Sequence, residues 1–210
     1  MAEIGVAMSS TSRSRCKNRL VVAVTGASGM LYVRELFAFL NTCPNIEVHA
    51  VASDAGEQVL RLELGLSLAE IVGPHTIVHS SKNFAAPMAS GSFKARGMVV
   101  IPCTMGTLGA IAQGQSRNLV HRAAEVMLKE KRPLILVVRE TPLSLIHLRN
   151  MLAAAEAGAT IFPAMPGFYQ RPENLTDLAR NFVGRILDHL GLEHDLCKRW
   201  GEGGTVSGEL

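Results

Sequence analysis

Polar residues that can bind a ligand or move a proton follow four predicted strands of this sequence. They are Ser28, Ser53, Thr104 with Thr107, and Arg139 with Glu140. A hydroxyl group donates and accepts hydrogen bonds, an arginine holds an anion, and a carboxylate can take a proton. Helix capping is the simpler explanation for any single serine or threonine. Four strand ends of this kind nevertheless favour a shared site.

The first predicted strand ends in a glycine-containing turn with the sequence Gly-Ala-Ser-Gly at 26–29. The residues that follow, 30–40, carry apolar side chains at helical spacing, so the segment predicts the front of a βα unit. Such a turn directs backbone N–H groups and the positive end of the helix toward a phosphate. A purely structural tight turn would also explain Gly26 and Gly29. Because the G-x-G-x-x-G fingerprint is missing, we expect no dinucleotide.

Three basic residues and two aromatic residues could also contact a ligand. Arg122 and Lys129 are seven residues apart on one predicted helix, which brings them onto the same face. A solvated basic face is the alternative. Arg185 lies on the edge of the apolar stripe of the last predicted helix, where a snorkelling surface arginine fits equally well. Tyr169 is either core filler or a phosphate ligand, and Trp200 either fixes the chain end or covers an aromatic ligand.

The order of predicted elements indicates how these residues are positioned. Strands are predicted at 20–24, 47–52, 98–101, 134–138 and 159–162, and helices at 30–40, 54–64, 68–72, 108–112, 118–130, 143–157 and 175–190. Their alternation predicts a three-layer, doubly wound, mostly parallel sheet of the Rossmann or flavodoxin type in one domain. Residues 73–97 are expected to be irregular, with a small-residue loop at 89–92 that a ligand can approach closely.

Composition excludes several classes of protein. The 210 residues are 48% hydrophobic and carry a net charge of only +3, so a broad nucleic-acid surface is not expected. No apolar run approaches about 18 residues, which predicts no membrane span. The four cysteines and seven histidines show no metal-ligand or disulfide spacing, as in a reduced cytoplasmic protein. We expect a disordered leader at 1–18, one α/β domain at 19–200 and a flexible tail at 201–210.

Several separate motifs, in order, resemble those of the UbiX-type flavin prenyltransferases from about Leu20 to Trp200. They are the turn at 26–29, Ser53 with Glu63, the stretches 89–93, 102–107, 122–124, 128–130, 139–142 and 147–151, Phe168 with Tyr169, and 183–187. The family joins a dimethylallyl group from dimethylallyl phosphate to N5 and C6 of reduced FMN without a metal. The prenylated FMN serves a UbiD-type decarboxylase. The resemblance also implies a homododecamer.

The resemblance assigns roles to individual residues. It places at FMN the residues Gly26, Ala27, Ser28, Ser53, Thr104, Met105, Gly106, Thr107 and Arg139. It places at the prenyl donor Tyr169, Arg185, Arg122, Lys129 and Trp200. It implies catalytic work for Glu140, Glu63, Ser28 and Lys129.

The sequence departs from the family at a few positions. Val33 stands where the family often has glycine, and Glu35 where it often has arginine. The usual Ser-Met-Lys-Thr turn reads Thr-Met-Gly-Thr here, which keeps the first hydroxyl and replaces the lysine with Gly106. We expect flavin contact to survive this change, and one ionic contact or bridge between subunits to be lost.

Three other functions fit parts of the sequence. A flavin-dependent cysteine decarboxylase shares the expected fold, but its Pro-Ala-Ser-Ala-Asn-Thr turn differs from Pro-Cys-Thr-Met-Gly-Thr at 102–107. A short-chain oxidoreductase needs Tyr-x-x-x-Lys, and neither Tyr32 nor Tyr169 has a lysine four residues later. A flavin carrier without catalytic activity agrees with every motif and stays open at this level.

Overall fold

The computed structural model describes residues 18–197, which form six strands and seven helices. The strands are β1 (Asn18–Val24), β2 (Ile46–Ala52), β3 (Thr76–Ser80), β4 (Gly97–Cys103), β5 (Leu134–Val138) and β6 (Thr160–Ile161). The helices are α1 (Met30–Leu40), α2 (Asp54–Leu64), α3 (Leu68–Ile71), α4 (Met105–Ala112), α5 (Leu119–Lys129), α6 (Leu145–Glu156) and α7 (Leu175–His189). A short 3-10 turn covers Pro87–Ala89.

The six strands form one parallel sheet in the order β3-β2-β1-β4-β5-β6. From β1 the chain builds outward to β3, then returns to the other side of β1 and builds outward again to β6. The order therefore reverses between β1 and β4, and ligands of open α/β sheets bind beyond the carboxyl ends of strands at such a point. The predicted doubly wound architecture is confirmed.

Helices cover both faces of the sheet, which explains the unbroken apolar run of β1. Leu20, Val22 and Val24 pack into one core with α1 and α7. Val21 and Ala23 point to the opposite face and pack into a second core with α4 and α5. A strand buried on both faces needs apolar side chains at every position rather than at alternate ones.

A buried carboxylate joins two helices of the first layer. Glu35 of α1 lies within 2.9 Å of both Arg34 and Arg180, the second of which belongs to α7. The Glu35 side chain is buried while the two guanidinium groups remain half exposed. Glu35 therefore joins α1 to α7, at a position where an arginine would face Arg180.

The differences between prediction and structure lie mainly at one edge of the sheet. Helices α1 and α2 and strand β5 have the predicted bounds, and most other elements shift by a few residues at their ends. The expectation that 73–97 is irregular was wrong for β3, an edge strand whose Ile77 and Val78 are 47% and 44% exposed. A half-exposed strand carries no continuous apolar run, so the pattern that found the buried strands missed it.

The ends of the chain lie largely outside the described residues. This applies to the predicted leader up to residue 17, to the tail at 201–210 and to Trp200. Asn18, which the prediction assigned to the leader, begins β1. Between residues 18 and 197, no helix has both the length and the apolar character needed to cross a membrane.

Candidate functional site

One buried threonine holds together the two strand ends at the point where the strand order reverses. The Thr25 hydroxyl donates to the carbonyl oxygen of Pro102 at 2.7 Å and accepts from the backbone N–H of Thr104 at 2.9 Å. The turn after β1 and the turn after β4 are thereby fixed side by side. Sequence reasoning did not single out Thr25, although a hydroxyl residue that ends a buried strand directly before a glycine turn was a usable signal.

Two glycines allow the start of α2 to pack against the end of β1. A Cβ atom at Gly26 would lie 2.5 Å from the Cβ of Ala55, and one at Gly56 would lie 2.6 Å from the carbonyl oxygen of Val24. The Ser53 backbone N–H also donates to the Val24 carbonyl oxygen at 2.9 Å. The turns at 26–29, 53–56 and 104–107 therefore form one cluster at the carboxyl ends of β1, β2 and β4. Gly26 therefore has a packing role against Ala55.

Hydroxyl groups in two of these turns cap the following helices. Ser53 accepts from the N–H of Gly56 at 3.0 Å, and Thr104 accepts from the N–H of Thr107 at 3.1 Å. The Thr104 hydroxyl also donates to that of Thr107 at 3.0 Å, whereas the Ser53 hydroxyl keeps its proton for a further partner. Apart from its chain neighbours and the backbone of α4, the nearest described atom to a Cβ atom built on Gly106 is the Thr104 hydroxyl oxygen at 4.0 Å, so the start of α4 has space for a ligand.

An internal carboxylate occupies the amino terminus of α1. Glu63, near the end of α2, accepts from the N–H groups of Gly29 at 3.0 Å and Met30 at 2.8 Å. The two amide groups that the sequence offered to a phosphate are thus already bonded to an anion. The expectation of an open phosphate site at this helix end was wrong for Gly29 and Met30, because the pattern of the turn gave no sign of a carboxylate from another helix.

The environment of Glu63 favours its charged form. Partial burial raises the pKa of Glu63, but hydrogen bonds from the Ser28 hydroxyl and from the Met30 and Gly29 amides, together with the charge of Arg139, lower it below its ordinary value. Glu63 therefore connects the turn after β1 electrostatically with the arginine after β5. This network brings together three predicted site residues: Ser28, Glu63 and Arg139.

The charged pair after β5 lies at the same edge of the sheet. The Arg139 backbone N–H donates to the Cys103 carbonyl oxygen at 3.2 Å, next to the turn after β4. Glu140 accepts from the N–H of Thr141 at 3.0 Å. Both side chains are exposed. Their expected division, with Arg139 toward flavin and Glu140 toward the prenyl donor, stays a prediction.

Tyr169 and Arg185 line a cavity of about 340 Å³ beyond the end of β6. Its other walls include Phe162, Asn181 and Phe182, so one side of the cavity is aromatic and another can bind an anion. The Arg185 side chain is 57% exposed, and its Nε lies 3.9 Å from Asp188. A small phosphate with an apolar tail fits this combination of surfaces.

Arg122 and Lys129 face a different part of the molecule. Arg122 donates to the carbonyl oxygen of Ala89 at 3.0 Å, and Lys129 pairs with Glu130 beside Gly91. Both residues therefore contact the loop that contains Ala89 and Gly91, which agrees with their predicted position on one face of the helix. Lys129 lies close in sequence to Leu134, the first residue of β5, and so near the amino edge of the sheet. One chain does not bring Lys129 next to Tyr169 and Arg185.

One group of metal-capable side chains occurs within residues 18–197, at the end of α7. It comprises Asp188, His194 and Cys197. His194 Nε2 lies 3.1 Å from Asp188 Oδ1, and its Nδ1 accepts from the N–H of Leu196 at 3.2 Å. Because both ring nitrogens are in use, we assign this group a structural role beneath Arg185. The expectation that no metal is needed stays a prediction.

Comparison with known proteins gives a consistent result. The family model described as Flavoprotein matches residues 8–183. The flavin prenyltransferase UbiX of Halalkalibacterium halodurans is 47% identical over 196 residues, which cover 89% of this chain and 95% of that protein. A crystal structure of AnUbiX with FMN and dimethylallyl pyrophosphate superimposes with a TM-score of 0.83 at 44% identity, covering 90% of this chain and all of the other.

A second solved structure is equally similar. The dodecameric FMN-dependent UbiX-like decarboxylase of Escherichia coli O157:H7 gives a TM-score of 0.83 at 43% identity, over 87% of this chain and 98% of that one. The similarity thus extends over the whole sheet and its helices in both structures.

The Glu63 contacts predict a pH-dependent loss of stability. Glu63→Gln should lower the free energy of unfolding by about 1 kcal/mol at pH 7, because an amide replaces the anion at the start of α1. The folded-state pKa of Glu63 is depressed, so its contribution is complete above the unfolded pKa and disappears as the pH falls through the folded value. The full difference should be present above the ordinary glutamate pKa of about 4.3 and should shrink as the pH falls below it.

Urea unfolding at one fixed protein concentration between pH 7 and pH 3 measures this difference. Glu173→Gln, at an exposed loop carboxylate, is the matched control and should leave the stability unchanged at every pH. A Glu63→Gln deficit that stays constant down to pH 3 would contradict the assignment.

Proposed function

Since the chain belongs to the UbiX family of flavin prenyltransferases, we propose that it joins a dimethylallyl group from dimethylallyl phosphate to N5 and C6 of reduced FMN. One observation carries this proposal: the cluster of turns around Thr25 and the cavity at Tyr169 and Arg185 open at the same edge of the sheet. A flavin and an anionic prenyl donor can therefore be bound side by side. The complex of AnUbiX with FMN and dimethylallyl pyrophosphate supports both ligands.

The turns fit FMN through hydrogen-bonding groups of several strand ends. Ser53 has a hydroxyl proton to donate, Gly106 leaves open space at the start of α4, and Arg139 supplies a positive charge. The remaining residues that would line the flavin are Gly26, Ala27, Ser28, Thr104, Met105 and Thr107. Reduced FMN, when bound, supplies the nucleophilic N5 and C6 atoms.

The donor phosphate is held, in this proposal, by groups from more than one copy of the chain. Tyr169 and Arg185 come from one copy, while Arg122 and Lys129 of another copy reach the same phosphate. Each charge-assisted contact contributes about 1.5–3 kcal/mol. These cationic groups stabilise the charge of the departing phosphate, so no metal is required for that purpose. Trp200, outside the described residues, would cover the site.

Carboxylates complete the proposed machinery. Glu63 orients the Ser28 hydroxyl, which the structure supports through their hydrogen bond. Glu140, exposed at the end of β5, would accept the proton released at flavin C6 or pass it to the bound phosphate. Carboxylates do general-base work of this kind when they lie within hydrogen-bond reach of the proton.

The family relationship extends to assembly and product. We propose a homododecamer, as in the structure from Escherichia coli O157:H7, and a UbiD-type decarboxylase as the recipient of prenylated FMN. A cytoplasmic location follows from the intracellular supply of reduced FMN that the reaction needs. The domain bounds 19–200 belong to the same proposal.

Flavin mass tests the function directly. The purified protein is incubated anaerobically with reduced FMN and dimethylallyl phosphate, or with the diphosphate in a parallel sample. We expect a flavin heavier by one dimethylallyl unit. FMN that is bound but unmodified with both donors would indicate a carrier, and tight NAD binding without FMN uptake would contradict the flavin assignment.

Assembly of the donor site between copies predicts complementation. Lys129→Ala and Arg185→Ala should each reduce donor use by about ten- to a hundredfold. When the two variants are co-expressed with different tags and purified through both, about one quarter of the sites should combine the intact Lys129 and Arg185. Co-expressed Lys129→Ala and Arg122→Ala provide the control, since both changes lie on α5 and no mixed site regains both cations. Equal recovery in the two mixtures would contradict a site shared between copies.

The proposed role of Glu140 is tested by Glu140→Gln, which keeps the shape and removes the charge. Loss of a general base lowers the rate about 10²–10⁴-fold, whereas loss of a surface ion pair costs ~0–1 kcal/mol of stability and no rate. Single-turnover prenylation at saturating FMN separates the two, and Glu156→Gln is an exposed control. An unchanged rate with a slightly lower melting temperature would return Glu140 to a structural role.

A further inference from the structure

The loop at 89–93, which we call the serine loop, is held by arginines through alternate carbonyl groups. Arg122 donates to the carbonyl oxygen of Ala89 at 3.0 Å. Arg132 donates to the carbonyl oxygens of Gly91 at 2.7 Å and Phe93 at 2.6 Å. The two bonds from one guanidinium group fix the direction of the loop backbone as well as its position, because the fork of an arginine is rigid and planar.

Arg132 is itself well placed for this task. It follows α5 directly, its backbone N–H donates to the Met127 carbonyl oxygen at 2.8 Å, and its side chain is only 17% exposed. The far end of the loop is anchored by the buried Phe93 ring, which lies 4.7 Å from the His49 ring and 4.9 Å from the Arg19 guanidinium carbon. The exposed hydroxyls of Ser90 and Ser92, 2.9 Å apart, lie between the two anchors.

The loop packs directly on the proposed donor cation. A Cβ atom at Gly91 would lie 2.7 Å from the Nζ of Lys129 and would also clash with a carboxylate oxygen of Glu130. Glu130 pairs with Lys129 and lies 3.8 Å from Arg132. Arg132 thus contacts both the loop that covers Lys129 and the carboxylate that competes with a phosphate for Lys129.

We propose that Arg132 is a positioning residue for the prenyl donor: it holds the serine loop against Lys129 and gives Glu130 a second cation when Lys129 binds the donor phosphate. Arg132 acts through these neighbours and does not contact flavin. This inference rests on the proposed function, because it takes Lys129 as a ligand of the donor. Removal of the fork should therefore weaken donor binding while flavin binding persists.

Arg132→Gln in the assembled enzyme tests the proposal. The KM for dimethylallyl phosphate should rise about tenfold or more, while kcat at saturating donor and the affinity for reduced FMN stay near wild type. Arg132→Lys keeps the charge without the fork and should recover part of the loss. The matched control is Lys131→Gln, which removes the neighbouring positive charge from an exposed side chain and should change nothing.

Gly91→Ala changes the serine loop itself, where it packs against Lys129 and Glu130. Its methyl group meets only the flexible ends of Lys129 and Glu130, so the fold is retained and the donor KM should rise as in Arg132→Gln. If Arg132→Gln does not assemble, the donor KM of Gly91→Ala tests the proposal instead. A donor KM equal to that of Lys131→Gln, in a folded Arg132→Gln or in Gly91→Ala, overturns the proposal.

A second readout does not depend on prenylation. Lys94 follows the loop and is exposed, so a lysine-specific protease reports how firmly the loop is held. Native Arg132→Gln should be cleaved after Lys94 faster than native Lys131→Gln. Equal rates of cleavage would overturn the inference that Arg132 holds the serine loop. A wild type that does not prenylate flavin refutes the proposed function alone, because this cleavage comparison still tests the contact between Arg132 and the loop.

Discussion

The arrangement of the turns at the carboxyl ends of the strands depends on one hydroxyl group, which donates one hydrogen bond and accepts another. The Thr25 hydroxyl joins the ends of β1 and β4, where the only other hydrogen bond described between Thr25 and Pro102 is the long backbone bond from the Thr25 N–H at 3.3 Å. Without this hydroxyl, the Thr104 N–H would lack a partner, at about 1–3 kcal/mol, and the Pro102 carbonyl would keep only the longer bond from the Thr25 backbone N–H at 3.3 Å. This contact fixes the point from which the turns after both strands start.

Carboxylates of the protein occupy several of the places where an anionic ligand could bind. Glu63 binds the amino terminus of α1, Glu130 pairs with Lys129, and Asp188 lies near Arg185. Hydrogen bonding to Lys129, and then its charge, lower the pKa of Glu130. Such pairs keep cations balanced before the substrate arrives. In the proposed donor site, a phosphate that binds Lys129 displaces Glu130, for which Arg132 at 3.8 Å is a second cationic partner.

Sequence patterns predicted the core of the sheet and the polar strand ends well, because both follow from local rules. A strand buried on both faces must be continuously apolar, which identified β1 and β5, and a helix needs a cap, which identified Ser53. Thr104 also caps a helix, but that helix begins three residues before its predicted start. The same rules failed for β3, since half-exposed edge strands have mixed composition.

Contacts between distant segments could not be read from the sequence. Glu63 reaches α1 from α2, and Thr25 reaches Thr104 across the sheet, at separations for which no periodicity exists. The family motifs named Glu63 as a site residue but did not show that it fills the amino terminus of α1. Arg132 escaped notice for a similar reason, because its two acceptors are backbone carbonyls and carry no side-chain signature.

The direction of α5 is the reason for proposing that the donor site combines groups from two copies of the chain. A helix that connects parallel strands must run back from the carboxyl edge to the amino edge, so its last turn, with Lys129, lies far from the ends of β5 and β6. Helix α6 buries only Ala154 and exposes Leu145, Ile146, Leu148 and Leu152. An apolar face of this size is covered in an assembly. Burial of that face between copies can bring the α5 cations of one chain to the cavity of another, so association would precede donor binding.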